Sequence, residues 1–132
     1  METAQGAVGV FLSKAIQNQP LEIWGDGSVT RDYIYVSDVA DAFARAIEYD
    51  GAKSVFNISS GIGTSLNELI MMIEHVLGRD VARLYLPGRP FDVPANVLEN
   101  SLARQELGWE PCVGLEEGLV KTADWMRKVL DK

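Results

Sequence analysis

The chain has 132 residues, which fits one domain. Hydrophobic residues at 47% and charged residues at 23% exclude a disordered segment. A formal net charge of −7 excludes a general nucleic-acid binder, which needs a basic surface, and the single cysteine, Cys112, excludes an internal disulfide framework or a cysteine metal cluster.

Val8, Phe11, Leu12, Ala15 and Ile16 recur at helical spacing, so residues 7–18 are predicted to form an amphipathic helix that Pro20 limits. Leu21–Trp24 alternates as a short strand, and Gly25, Asp26 and Gly27 supply turn chemistry. Arg31–Val36, rich in aromatic and β-branched residues, predicts a second strand. Ser37 is the expected cap of the next helix, with Ala40, Phe43, Ala44 and Ile47 on one face and Gly51 as its stop. Ser54–Ile58 reads as a strand. Ser65 and Glu68 fit a capping box ahead of a helix carrying Leu66, Leu69, Ile70, Ile73, Val76 and Leu77 and ended by Gly78. Val81–Leu86 alternates as a strand, residues 87–97 form a proline-bounded loop, and a short helix over 99–107 ends at Gly108. A terminal helix carries Leu115, Leu119, Ala123, Met126 and Leu130, its buried stripe widened by Trp125 and Val129. Alternating strands and helices place the chain in the α/β class, with an α+β-like character, as one unit over residues 1–132.

The opening Met1–Gly6 lacks a basic region before an apolar core, so a signal peptide is not expected there. No apolar run approaches the roughly 18–20 residues that span a bilayer. A cytoplasmic protein without membrane or nucleic-acid partners is expected. Cys112, between Pro111 and Val113, reads as a small packed residue.

Four features of the sequence bear on chemistry. Gly61-Ile-Gly63 follows a strand and precedes a helix, but Leu66 stands where a dinucleotide fingerprint needs its third glycine, so a plain turn is the better reading. Tyr49 and Lys53 have the Tyr-x-x-x-Lys spacing, yet Asp50 and Gly51 end the helix that would fix their geometry. His75, the single histidine, reads as a solvated helix residue, and no metal site is expected. Arg31 and Arg89 sit near glycine-rich turns, where a planar guanidinium can grip phosphate through two parallel bonds. The plain alternative is a surface ion pair, Arg31 with Asp32 or Asp38.

Taken in order, Leu21–Ser28, Arg31–Val39, Val55–Gly61, Gly88–Val93, Leu107–Pro111 and Leu115–Leu119, led by the helix Gln5–Ala15, resemble the C-terminal substrate-binding region of the NAD-dependent epimerase/dehydratases, extended short-chain dehydrogenases similar to UDP-glucose 4-epimerase. The resemblance implies a nucleotide-sugar ligand, with UDP-sugar favoured. It implies Arg31 and Arg89 on the diphosphate, Asp92 on the ribose hydroxyls, and Glu22, Ile23 and Trp24 beside the base. Asn96 stands where some epimerases carry an aromatic residue, and Phe91 replaces the family's usual glycine. The family's cofactor fingerprint and its catalytic Ser/Thr, Tyr and Lys lie before the matched region. The resemblance therefore implies no cofactor held by this chain (NAD serves the full-length family) and no catalysis by this chain alone. Uncovered apolar faces then predict a homo-oligomer or pairing with a nucleotide-binding half. The remaining alternatives are a self-associating interaction module and one half of a split epimerase.

Overall fold

The computed structural model describes residues 6–132. Met1–Gln5, on which the signal-peptide expectation partly rests, lie outside the described residues. Ten elements follow in order: α1 (Ala7–Ile16), β1 (Leu21–Trp24), β2 (Thr30–Asp32), α2 (Val36–Glu48), β3 (Gly63–Ser65), α3 (Leu66–Leu77), β4 (Arg83–Leu86), β5 (Ala95–Asn96), α4 (Ser101–Leu107) and α5 (Leu115–Leu130). The mixed α/β class is as expected.

The strands form two small sheets. β1 pairs with β4 in parallel, Leu21 opposite Arg83 and Trp24 opposite Leu86. β2 lies between β3, antiparallel, and β5, parallel, with Arg31 opposite both Thr64 and Asn96. The larger core joins α1, β1, α3 and α5 through Phe11, Leu12, Leu21, Ile23, Ile70 and Leu119. Side chains buried this fully contribute about 1.5–3 kcal/mol each. A smaller core gathers Ala42 of α2, Ala103 of α4 and Trp109, with Ile34, Phe56 and Ile58 packed on it.

The capping box forms as expected: Ser65 Oγ accepts from the Glu68 amide at 3.1 Å, and Glu68 Oε2 accepts from the Ser65 amide at 2.8 Å. Gly78 closes α3 in the left-handed conformation. Other expectations need correction. The strand expected at 31–36 stops at Asp32, and α2 begins at Val36 with Tyr35 at the cap position and no side-chain cap, so Ser37 does not cap it. Ser54–Ile58 forms no strand, because no neighbour among the described residues pairs with it. On α2 the buried residues are Asp38 and Ala42, while Phe43 and Ile47 are 69% and 84% exposed. The apolar face read from periodicity is present but uncovered. Trp125, Val129 and Leu130 are exposed rather than part of the buried α5 stripe, and the Cys112 thiol is exposed rather than packed.

Two buried or half-buried carboxylates stitch the loops together. Asp32 Oδ1 accepts from the Ser60 amide at 2.8 Å and its hydroxyl at 2.6 Å, while Oδ2 accepts from the Gly61 amide at 2.9 Å. Asp38, 4% exposed, accepts from the Cys112 and Val113 amides, each at 3.0 Å. Its own carbonyl accepts from Trp109 Nε1 at 2.9 Å. Asp32 and Asp38, the candidate ion-pair partners of Arg31, therefore serve the backbone.

Candidate functional site

A cleft of about 450 Å³ opens between α1, the end of β1, β2 and the loop after β4. Glu22, Trp24, Arg31, Tyr33, Arg89 and Asp92 are among its lining residues. The two arginines, 58 positions apart in sequence, are joined by backbone geometry. The parallel register puts Trp24 beside Leu86, and the Gly25 amide extends the pairing by donating to the Leu86 carbonyl at 2.8 Å. Gly25 turns the chain there at φ +93°, a conformation that favours glycine. Arg89, three residues beyond Leu86, then lies over the Trp24 ring, its Cζ 5.5 Å from the centroid.

The same loop returns to Arg31. Arg31 Nη1 donates to the Val93 carbonyl at 2.7 Å and to the Thr30 carbonyl at 2.8 Å. The Thr30 amide donates to the Pro94 carbonyl at 2.9 Å. No carboxylate among the described residues forms an ion pair with Arg31, which sets aside the surface-pair alternative. Arg89 Nε donates to Asp92 Oδ2 at 2.9 Å, inside a turn closed by the Asp92 amide on the Arg89 carbonyl at 3.1 Å. Each guanidinium is thus anchored through one nitrogen, with other donors left over. Lys14 also lines the cleft, giving three cations against the carboxylates of Glu22 and Asp92. That local balance is positive in a chain whose net charge is −7.

Of the remaining sequence candidates, Ile23 is fully buried in the larger core beneath the cleft, and Asn96 is exposed on β5 outside the cleft lining. Phe91 occupies the former glycine position without strain, since Asn18 is the one non-glycine residue at positive φ among the described residues.

Sequence reasoning missed Tyr33. Its hydroxyl is buried without a hydrogen-bond partner, and burial pushes the phenol's pKa up while the Arg31 charge pulls it down. The signal was available: in extended backbone, residues two apart share a face, so a chain that aims Arg31 at the cleft aims Tyr33 there too.

The dinucleotide-like segment does not fit NAD. The Ser60 and Gly61 amides that would face a pyrophosphate are bound by the Asp32 carboxylate. Tyr49 lies past the end of α2, and its hydroxyl donates to Glu106 Oε2 at 3.0 Å and accepts from the Lys53 backbone amide at 3.2 Å. Its pKa is raised, by desolvation first and then by Glu106, the opposite of what a catalytic phenolate requires.

Residues 2–59 match the model of the NAD dependent epimerase/dehydratase family. UDP-glucose 4-epimerase of Mycolicibacterium smegmatis is 39% identical over 122 residues, covering 92% of this chain and 39% of that protein. The dTDP-4-dehydro-6-deoxyglucose reductase of Escherichia coli is 38% identical over 119 residues, covering 89% of this chain and 37% of that protein. The crystal structure of Thermotoga maritima UDP-glucose 4-epimerase with UDP-glucose superposes with a TM-score of 0.89 at 41% identity, covering 95% of this chain and 40% of that one. The chain is an epimerase/dehydratase-like polypeptide in both sequence and fold, and it spans about two-fifths of the length of these relatives.

Proposed function

We propose that residues 1–132 act as a single nucleotide-sugar-binding unit, with the diphosphate of a UDP-sugar held between Arg31 and Arg89. The observation that carries this reading is the convergence of both guanidinium groups on one cleft, each pre-anchored and each with spare donors. A diphosphate is a flexible anion best held by such forks. Asp92, engaged by Arg89 through Oδ2, keeps Oδ1 for a ribose hydroxyl. Trp24, 40% exposed, offers a flat surface to a base. UDP is preferred over dTDP or GDP on the relatives bearing UDP-sugar names, UDP-glucose 4-epimerase among them.

Titration calorimetry with UDP, UDP-glucose and UDP-glucuronic acid tests the proposal. Binding at micromolar to millimolar concentration, weakened by Arg31→Ala by about 1.5–3 kcal/mol, is the expected outcome for lost hydrogen bonds to a charged group. A folded sample that binds none of the three refutes it.

A second reading, a self-associating module, rests on the uncovered α2 face carrying Phe43 and Ile47. A split enzyme is a related possibility: the same face would pack on a separate nucleotide-binding chain, and mixing the two would restore epimerisation.

A further inference from the structure

The Arg89 guanidinium has aromatic rings around it on two residues. Its Cζ lies 5.5 Å from the Trp24 centroid and 5.1 Å from the Phe91 centroid. Its Nε is taken by Asp92. Phe91 is 73% exposed, so no buried core requires it at that position. The turn that carries it is closed by backbone, Asp92 amide to Arg89 carbonyl, and does not depend on the side chain.

We propose that Phe91 is a positioning residue. With Trp24 it confines the Arg89 guanidinium, and with the Asp92 bond on Nε it leaves the Nη edge as the part of the group free to meet a phosphate. The inference deepens the nucleotide reading and rests on it. A long cation on four rotatable bonds normally loses side-chain freedom when it binds an anion. Here the contacts on Nε and on the two rings reduce that freedom before the ligand arrives, which lowers the cost of binding. A glycine at position 91 would give the same turn without the clamp. Phe91 thereby acts on the phosphate through Arg89 and makes no claim on the base.

The test compares the parent with Phe91→Leu and Phe91→Tyr, titrated with UDP and with uridine, which has no phosphate. In parallel, the Arg89 Nε–H resonance is followed by NMR in the ligand-free proteins. Ring currents from two aromatics should shift that resonance upfield in the parent, Phe91→Leu should lose part of the shift, and Phe91→Tyr should keep it. Phe91→Leu should weaken UDP by about two- to fivefold, the size of one exposed cation–π contact, with Phe91→Tyr restoring it and uridine unchanged in both variants. Equal UDP affinity in the leucine variant overturns the inference and leaves the nucleotide reading standing. An equal loss on uridine also overturns it, since Phe91 would then contact the base. A parent that binds no UDP removes both, and the ring-current shift then tells whether the clamp exists without that ligand.

Discussion

Replacing Asp38 probes the anchor that fastens the chain's closing segment to α2. Its carboxylate is 4% exposed and accepts two backbone amides, Cys112 and Val113, each at 3.0 Å. Hydrogen bonds to a charged group contribute about 1.5–3 kcal/mol each. Cys112 is exposed, so water can satisfy its amide once the carboxylate is gone, and the loss in Asp38→Ala falls to about 3 kcal/mol rather than the sum of two upper values. Asp38 also lies in the first turn of α2, where a negative charge opposes the helix dipole at a gain of about 0.3–1 kcal/mol. Asp38→Asn keeps the shape but turns an amide donor toward one of the two N–H groups, so it should lose about half as much. Urea unfolding followed by far-ultraviolet circular dichroism gives the numbers. With total stabilities of about 5–15 kcal/mol for single domains, the alanine variant should show a clearly lower midpoint at an unchanged slope. An unfolding free energy within about 0.5 kcal/mol of the parent's would show that these amides gain nothing from the carboxylate and refute the reasoning.

Tyr33→Phe should leave both stability, within about 1 kcal/mol, and UDP binding at the parent's level, because the hydroxyl is buried and has no protein partner; a clear loss of UDP affinity in calorimetry would show that the hydroxyl reaches the ligand. The Asp26 carboxylate, held below the ordinary aspartate range by the Ser28 hydroxyl and then the Ser28 amide, should titrate higher in Ser28→Ala when followed by carboxyl 13C NMR. Its folded-state pKa is the lower one, so its contribution to stability is present above the unfolded-state pKa and disappears as pH falls through the folded-state value. Phe43→Ser with Ile47→Ser should shift light scattering toward monomer, each side chain being worth roughly 1.5–3 kcal/mol if a partner buries it fully. A parent that is monomeric at high concentration defeats that expectation.

Helices were legible where sequence carried both period and punctuation. In α3, Ser65, Glu68 and Gly78 mark both ends chemically, and the apolar stripe between them is the one that is buried. α2 had the period and an expected cap and stop, Ser37 and Gly51, but Ser37 does not cap it, the helix ends at Glu48, and its stripe is exposed. Periodicity reports that a helix has an apolar face; it does not report whether a partner is there to cover it. The strand expected at 54–58 fails for a related reason, since a strand exists only through a neighbour and local propensity cannot supply one. Arg31, Arg89 and Asp92 were visible as chemistry through their place in short motifs. Their convergence depends on the β1–β4 register and on the Val93 carbonyl, which connect residues about sixty positions apart. Asp32 and Asp38 were visible as charges, yet their partners are backbone amides, which no side-chain motif announces.

That division explains how the arginine-lined cleft persists in a chain with an uncovered helix. The cleft's walls, α1 and β1, stand on the larger core, where Phe11, Leu12, Leu21 and Ile23 are packed by α3 and α5. The uncovered face belongs to α2, whose support is the smaller core around Trp109. The cleft and the apolar groove beside Phe43 share no lining residue. Asp38 ties α2 to the segment that leads into α5, and Lys121 of α5 lies over the Tyr35 ring at the head of α2. A partner that covers α2 can therefore occupy its face without displacing Arg31 or Arg89.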